Sequence, residues 1–131
     1  MSHPNEDRLR ALYALFAQGD LEGFLAGCTD DVTFTVPGRT PGSGTFSKSD
    51  FFVWIGGVLE PTGGTFREDV LDVFANDEHG ILLLHHSFDR AGAHREYGTA
   101  HAVHLRDGLI SSWEERPGSL REFEDAWGTV S

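Results

Sequence analysis

Chemistry in this chain concentrates in histidine, glutamate and tryptophan residues that stand where an ordinary strand would carry valine and isoleucine. His101 and His104 lie on one side of Asp107-Gly108, and Trp113, Glu114 and Glu115 on the other; a second pair, His85 and His86, closes an apolar run that begins at Gly80. An unperturbed imidazole titrates at about 6.5, so a modest environment makes it a donor or an acceptor near neutrality. Glu115 is a natural partner for it. Proton transfer by His101, His86 or His85 together with Glu115 is the chemistry these residue types offer; the ordinary alternative is a set of structural histidines bonded within the core or across a dimer interface.

Side chains alternate along a strand, so His85 and His86 point to opposite faces, as do His101 and the oddly spaced His104. A pocket wall receives one member of each pair. Two histidines with Glu115 would suffice for a divalent metal, but no HxH or HExxH spacing supports one, and the expectation is a site without metal or organic cofactor. Trp113 and Glu115, two residues apart, share a face, and a carboxylate held against an indole loses hydration, which raises its pKa, while a nearby imidazolium would pull Glu115 back to its ionised form. No Ser, Cys or Lys stands in a motif for covalent catalysis, and Cys28 beside Gly27 reads as a small buried residue. Phe34, Trp54, Tyr97 and Trp113, with Phe52, are core candidates singly and as a set argue for an apolar or aromatic ligand.

These residues need elements to hold them. Asp107-Gly108 between apolar runs is a strong hairpin signal, because a type I′ turn needs positive φ at both central residues. The turn sets Leu105 opposite Ile110 and His104 opposite Ser111. Upstream, Met1 to Asn5 reads as a frayed end, and Leu9, Leu12, Tyr13, Leu15 and Phe16 recur at helical spacing until Gln18-Gly19. Asp20 caps a short second helix that Gly27 stops. Val32 to Val36 alternates as a strand. Pro37 to Gly44 holds three Gly and two Pro, a loop at a mouth or rim; Arg39 within it either closes over a polar group of a ligand or is solvated. Gly42-Ser43-Gly44 lacks the following residues of a phosphate cradle. A third helix runs from Ser47 to Glu60-Pro61 with almost no polar face, predicting burial on most sides, and Gly56-Gly57 within it predicts a close backbone approach.

A strand follows from Thr65 to Phe74. The run from Gly80 to Phe88, apolar on both faces, reads as a central strand covered on two sides. Asp89 to Arg95 turns the chain into the hairpin, and Leu120, Phe123, Ala126 and Trp127 form the inward face of a last short helix begun at Ser119. The order ααβαββββ plus a terminal helix is α+β, one domain over residues 1–131 with a core over 6–127. At 131 residues and 39% hydrophobic the chain suits one core. A formal charge of −11, with 21 acidic against 10 basic side chains and no basic cluster, removes the electrostatic basis for nucleic acid or an anionic membrane as partner. A single cysteine and no apolar leader or span predict a cytoplasmic setting.

The helical pair hinged at Gly19-Asp20, the strand ending near Pro37 and the run finishing in Arg106-Asp107-Gly108-Leu109-Ile110 resemble the nuclear transport factor 2-like superfamily, which includes ketosteroid isomerases, limonene epoxide hydrolases, scytalone dehydratases and SnoaL-like polyketide cyclases. Ala17 to Phe24, Arg106 to Trp113 and Leu120 to Trp127 carry the likeness. It implies a cone: a strongly curved, largely antiparallel mixed sheet wrapped on three N-terminal helices around a cavity, dimerising through the sheet's outer face. Near Val36, where the isomerases carry a proton-moving Asp, this chain has Val36-Pro37-Gly38; Tyr13 stands one position from their oxyanion-hole Tyr. Trp113-Glu114-Glu115 is similar to the hydrolases' Trp-Arg-Asp and puts Glu115 at an acid/base carboxylate, while their second carboxylate and its Arg should fall around His85 to Phe88, where neither occurs. The resemblance thus implies a protein for a small apolar molecule, with isomerase, cyclase, hydratase, dehydratase or epoxide-hydrolase chemistry and no cofactor, or else a non-catalytic ligand-binding or dimerisation module. Apolar side chains on both faces of the strands from Ile81 to Ile110 predict the homodimer independently.

Overall fold

Pro4 sits at the start of the first helix, where its missing N–H is no loss, and His3 caps it by accepting the Asn5 N–H on Nδ1 at 3.0 Å. The structure, a computed structural model, describes residues 3–130. Of the expected frayed end, Met1 and Ser2 lie outside the described residues, whereas Pro4 and Asn5 are helical and Asn5 is buried, its Nδ2 donating to the Asn76 carbonyl at 3.0 Å. Helix α1 (Pro4–Ala17) ends at Gln18, with Gly19 at φ 81°, and Asp20 caps α2 (Leu21–Ala26) through the Gly23 N–H at 2.8 Å.

Six strands follow among the described residues: β1 (Cys28–Val36), β2 (Gly44–Ser47), β3 (Arg67–Ala75), β4 (His79–Arg90), β5 (Ala93–Arg106) and β6 (Leu109–Pro117). Helix α3 (Phe51–Leu59) separates β2 from β3, and α4 (Leu120–Trp127) follows β6. The sheet order is β2-β1-β6-β5-β4-β3, with β1 parallel to β6 and every other pair antiparallel. This is the expected α+β architecture, a curled, unclosed sheet around its helices. Register shifts in β1/β6, β3/β4 and β5/β6 bend the strands, as bulges do. The core, including Leu9, Phe34, Phe51, Leu82, Leu84, Phe88 and Ile110, fills the space between helices and sheet. Gly80 lets α1 come close: a Cβ there would meet Leu9 Cδ1 at 2.6 Å.

Several local expectations need correction. β2 was hidden in the breaker-rich stretch because only Thr45 and Phe46 favour a strand; it pairs as an edge with β1. Helix α3 buries only Phe51 and Ile55, with Val53 84% exposed, and a Cβ at Gly56 or Gly57 would meet open space. Its apolar excess lies on an outer side. β4 is covered on one face only, Ile81 and Leu83 being exposed. The supposed turn over Asp89 to Arg95 is tighter: strands run to Arg90 and from Ala93, joined by Ala91 and Gly92 at φ 52° and 79°. Leu120 is exposed, so the inner face of α4 is Phe123, Ala126 and the partly buried Trp127.

Candidate functional site

Asp107 and Gly108 take φ 53° and 81°, as the hairpin turn demands, and Leu105 pairs with Ile110. His104, however, pairs with Ser112 rather than Ser111. Ser111 is an extra residue in β6, and this bulge decides the chemistry of the wall. A regular ladder continued from Leu105 and Ile110 would set His101 against Glu114; the extra residue sets it against Glu115, and Val103 against Trp113. Because facing alternates along a strand, the bulge also turns Trp113 and Glu115 inward.

Behind this wall lies a cavity of about 200 Å³, lined by Tyr13, Phe34, Trp54, Tyr97, His86, His101, Trp113 and Glu115 among others, with the Thr40-Pro41-Gly42 loop at its rim. Its outer part is aromatic: Trp54 stacks on Phe46 at 4.9 Å, packs against Phe34 at 5.6 Å and donates its Nε1–H to the Gly42 carbonyl at 3.0 Å. Its inner end is a hydrogen-bonded chain. Trp113 Nε1–H donates to the Tyr13 hydroxyl at 3.0 Å; that hydroxyl lies 2.6 Å from His101 Nδ1, and His101 Nε2 lies 3.1 Å from Glu115 Oε1. The Thr99 hydroxyl donates to Glu115 Oε2. All five side chains are buried.

Burial favours the neutral forms of His101 and Glu115, but each holds the other's charge. Desolvation lowers the His101 pKa, yet the Glu115 carboxylate, with Glu68 behind it, outweighs this and raises it. Desolvation likewise raises Glu115, and the charge and hydrogen bond of His101, together with His86 and Thr99, bring it below its usual value. The upward pull expected from the indole and burial is therefore outweighed by the facing imidazole, the opposing effect a histidine partner brings. Burial, with the nearby carboxylates, holds the Tyr13 and Tyr97 phenols well above their usual value, and burial pushes the Cys28 thiol up to about 11. Such a chain can carry a proton between Glu115 and the cavity through His101 and Tyr13.

Of each histidine pair one member faces inward: His86 and His101 do, edge to face at 5.7 Å, while His85 and His104 face out. His85 lies 3.7 Å from Glu96 away from the cavity, and so leaves the candidate set. Arg39 leaves it too, because its side chain is 75% exposed beside Glu124. Tyr13, one position off the isomerase pattern, nevertheless reaches the site. Glu68, Thr99 and Trp127 were missed. Glu68 is a second, partly buried carboxylate, on β3 instead of β4, and receives His86 Nε2 at 2.7 Å; the register that sets Glu68 against His86 joins two strands and left no local signal. Glu68, His86 and His101 offer ligand atoms within 4.8 Å of one another and are the described residues able to hold a metal. Both nitrogens of both rings are already hydrogen-bonded, so an ion would displace histidine–carboxylate bonds.

No helix among the described residues is long and apolar enough to cross a membrane. No curated protein sequence matches the chain. Among solved structures it is similar to Bal32a from a soil-derived mobile gene cassette, at TM-score 0.86 and 23% identity over 94% of this chain and 95% of that one. It is similar also to TerC, co-crystallised with polyporic acid, at TM-score 0.83 and 21% identity over 97% and 100%, and to a Xanthomonas campestris protein with a cystatin-like fold, at 0.82 and 21% over 98% and 99%. At these identities the likeness is one of fold. The family model for the SnoaL-like domain matches residues 9–113, a span that runs from within α1 to Trp113 in β6 and stops short of Glu115. The chain belongs to the SnoaL-like domain family.

Proposed function

We propose that this protein binds a small, largely apolar ring compound in its cavity and exchanges a proton with an oxygen atom of it through Tyr13, His101 and Glu115. The observation that carries this reading is the unbroken Trp113–Tyr13–His101–Glu115 chain at the inner end of an apolar cavity. When His101 is the imidazolium, its Nδ1–H and the Trp113 N–H both point at the Tyr13 oxygen, and the phenolic hydrogen is left for the ligand. Delivering that hydrogen to a ligand oxygen while His101 Nδ1–H refills the phenol leaves a neutral imidazole and a protonated ligand. The reverse sequence takes a proton from the ligand. Either direction serves isomerisation, cyclisation, hydration or dehydration. TerC, a protein of similar fold, was co-crystallised with polyporic acid, which agrees with a small organic molecule as ligand.

A second reading, a binding module with structural histidines, is favoured by the complete bonding of both rings. Two copies associating through the outer face of β3 and β4, where Phe74, Ile81 and Leu83 are exposed, fit either reading. Turnover of cyclic ketones, enols and epoxides, followed by absorbance and mass, decides between them. Activity that falls at least a hundredfold in both Tyr13→Phe and His101→Asn supports the enzyme; activity retained in both folded variants removes the relay from the mechanism.

A further inference from the structure

The cavity wall holds a second chain of the same make-up as the first. Trp127 Nε1–H donates to the Tyr97 hydroxyl at 2.7 Å, that hydroxyl lies 2.8 Å from His86 Nδ1, and His86 Nε2 lies 2.7 Å from Glu68 Oε2. The order Trp, Tyr, His, Glu is thus built twice, from α4, β5, β4 and β3 in one case and from β6, α1, β5 and β6 in the other. No sequence repeat produces this. The two imidazoles meet edge to face, so both chains end in the same cavity.

A tyrosine hydroxyl has one hydrogen to give and two lone pairs. An indole N–H can only donate, so Trp113 and Trp127 each take one lone pair. Each His Nδ1 then takes either the hydrogen, if unprotonated, or the second lone pair, if protonated. In both cases each hydroxyl already has two partners and one further hydrogen-bonding position on it stays open among the described residues, so a ligand oxygen can be added without breaking either chain. A hydroxyl oxygen on the ligand can match a position of either polarity, and a carbonyl oxygen matches the donor form. The rest of the lining is mostly aromatic and aliphatic.

We propose that the cavity's ligand is an arene with two oxygen functions, one bonded to Tyr13 and the other to Tyr97. This rests on the reading of the cavity as the ligand site, and the test separates the two. The probes are naphthalene, 1-naphthol and the 1,4-, 1,5- and 2,6-dihydroxynaphthalenes, titrated by quenching of tryptophan fluorescence and by calorimetry. Each matched oxygen should tighten binding roughly five- to tenfold, so that at least one diol exceeds naphthol, which exceeds naphthalene. Measured against each variant's own naphthalene affinity, Tyr97→Phe should delete one increment and Tyr13→Phe the other. Naphthalene binding without any gain from oxygen, the result expected if water alone occupies the hydroxyls, overturns the proposal but spares the cavity as a ligand site. Failure of every probe to bind defeats both. Should either variant not fold, the wild-type series decides alone: equal affinity for naphthol and all three diols refutes the second oxygen.

Discussion

Replacing Tyr13 with Phe keeps the ring and its buried apolar area and removes one oxygen atom. That oxygen is the acceptor for Trp113 Nε1–H at 3.0 Å and the partner of His101 Nδ1 at 2.6 Å. Both partners are buried, and removing one side of a buried hydrogen bond leaves the other with an unrecovered desolvation cost of about 1–3 kcal/mol. Two stranded groups give about 2–6 kcal/mol, and water entering from the cavity brings the expected value to about 2–4 kcal/mol. This is a large share of the 5–15 kcal/mol or so that holds a domain folded, yet it leaves the variant folded. The melting temperature should fall by roughly 6–20 °C for a chain of this length. Urea unfolding gives the measurement, with a lowered midpoint at unchanged slope identifying a stability loss. Tyr13→Phe combined with Trp113→Phe should lose less than the two losses added, with a coupling of at least about 1 kcal/mol. A Tyr13→Phe variant within about 0.5 kcal/mol of the parent would mean that the hydroxyl holds nothing, and the chain from indole to carboxylate would not exist in solution.

Glu115→Gln should change the pH dependence of stability. The raised His101 stabilises the fold most fully below about pH 6.5 and loses that effect as pH rises through its folded pKa; the lowered Glu115 stabilises above about pH 4.5 and loses it as pH falls. The melting-temperature gap between parent and variant should therefore be widest between those values, and a gap that keeps growing toward pH 9 would contradict the pair. Deleting Ser111 should remove the bulge while leaving His104 opposite Ser112, Trp113 opposite Val103 and Glu115 opposite His101, so tryptophan emission should stay at the parent wavelength; a shift to longer wavelength would show that Ser111 is not the extra residue. Leu83→Glu with Phe74→Glu should turn a dimer of twice 14.4 kDa into a monomer by light scattering, and a parent already monomeric at tens of micromolar would remove the proposed interface.

The hinged helices, the hairpin turn and the alternation within each histidine pair were legible because each depends on neighbours in sequence. One local detail, the bulge at Ser111, was not. Neither serine announces which of the two is extra, and a one-residue slip exchanges Glu114 for Glu115. Tertiary partners were less legible still. That Tyr13 meets His101, 88 positions away, follows from the way α1 lies across the sheet, which no local pattern encodes. The direction of the Glu115 shift was open for the same reason: Trp113 was visible two residues away, while the opposing imidazole depended on register. Exposure on α3 and β4 was misjudged because an apolar side chain does not say whether its own domain or another surface covers it.

The joining of β1 to β6 has a consequence for how the protein is made. A ribosome releases Cys28–Val36 long before Leu109–Pro117, and the parallel pairing of the sheet must wait for the later strand. Loops of this length close at an entropic disadvantage, and such long-range pairings fold slowly. Tyr13 must likewise wait for His101 and Trp113, and Tyr97 for Trp127. A nascent or truncated chain can set His101 against Glu115 and Glu68 against His86 within its hairpins, but neither complete relay, with its tyrosine and tryptophan, is closed before the fold is finished.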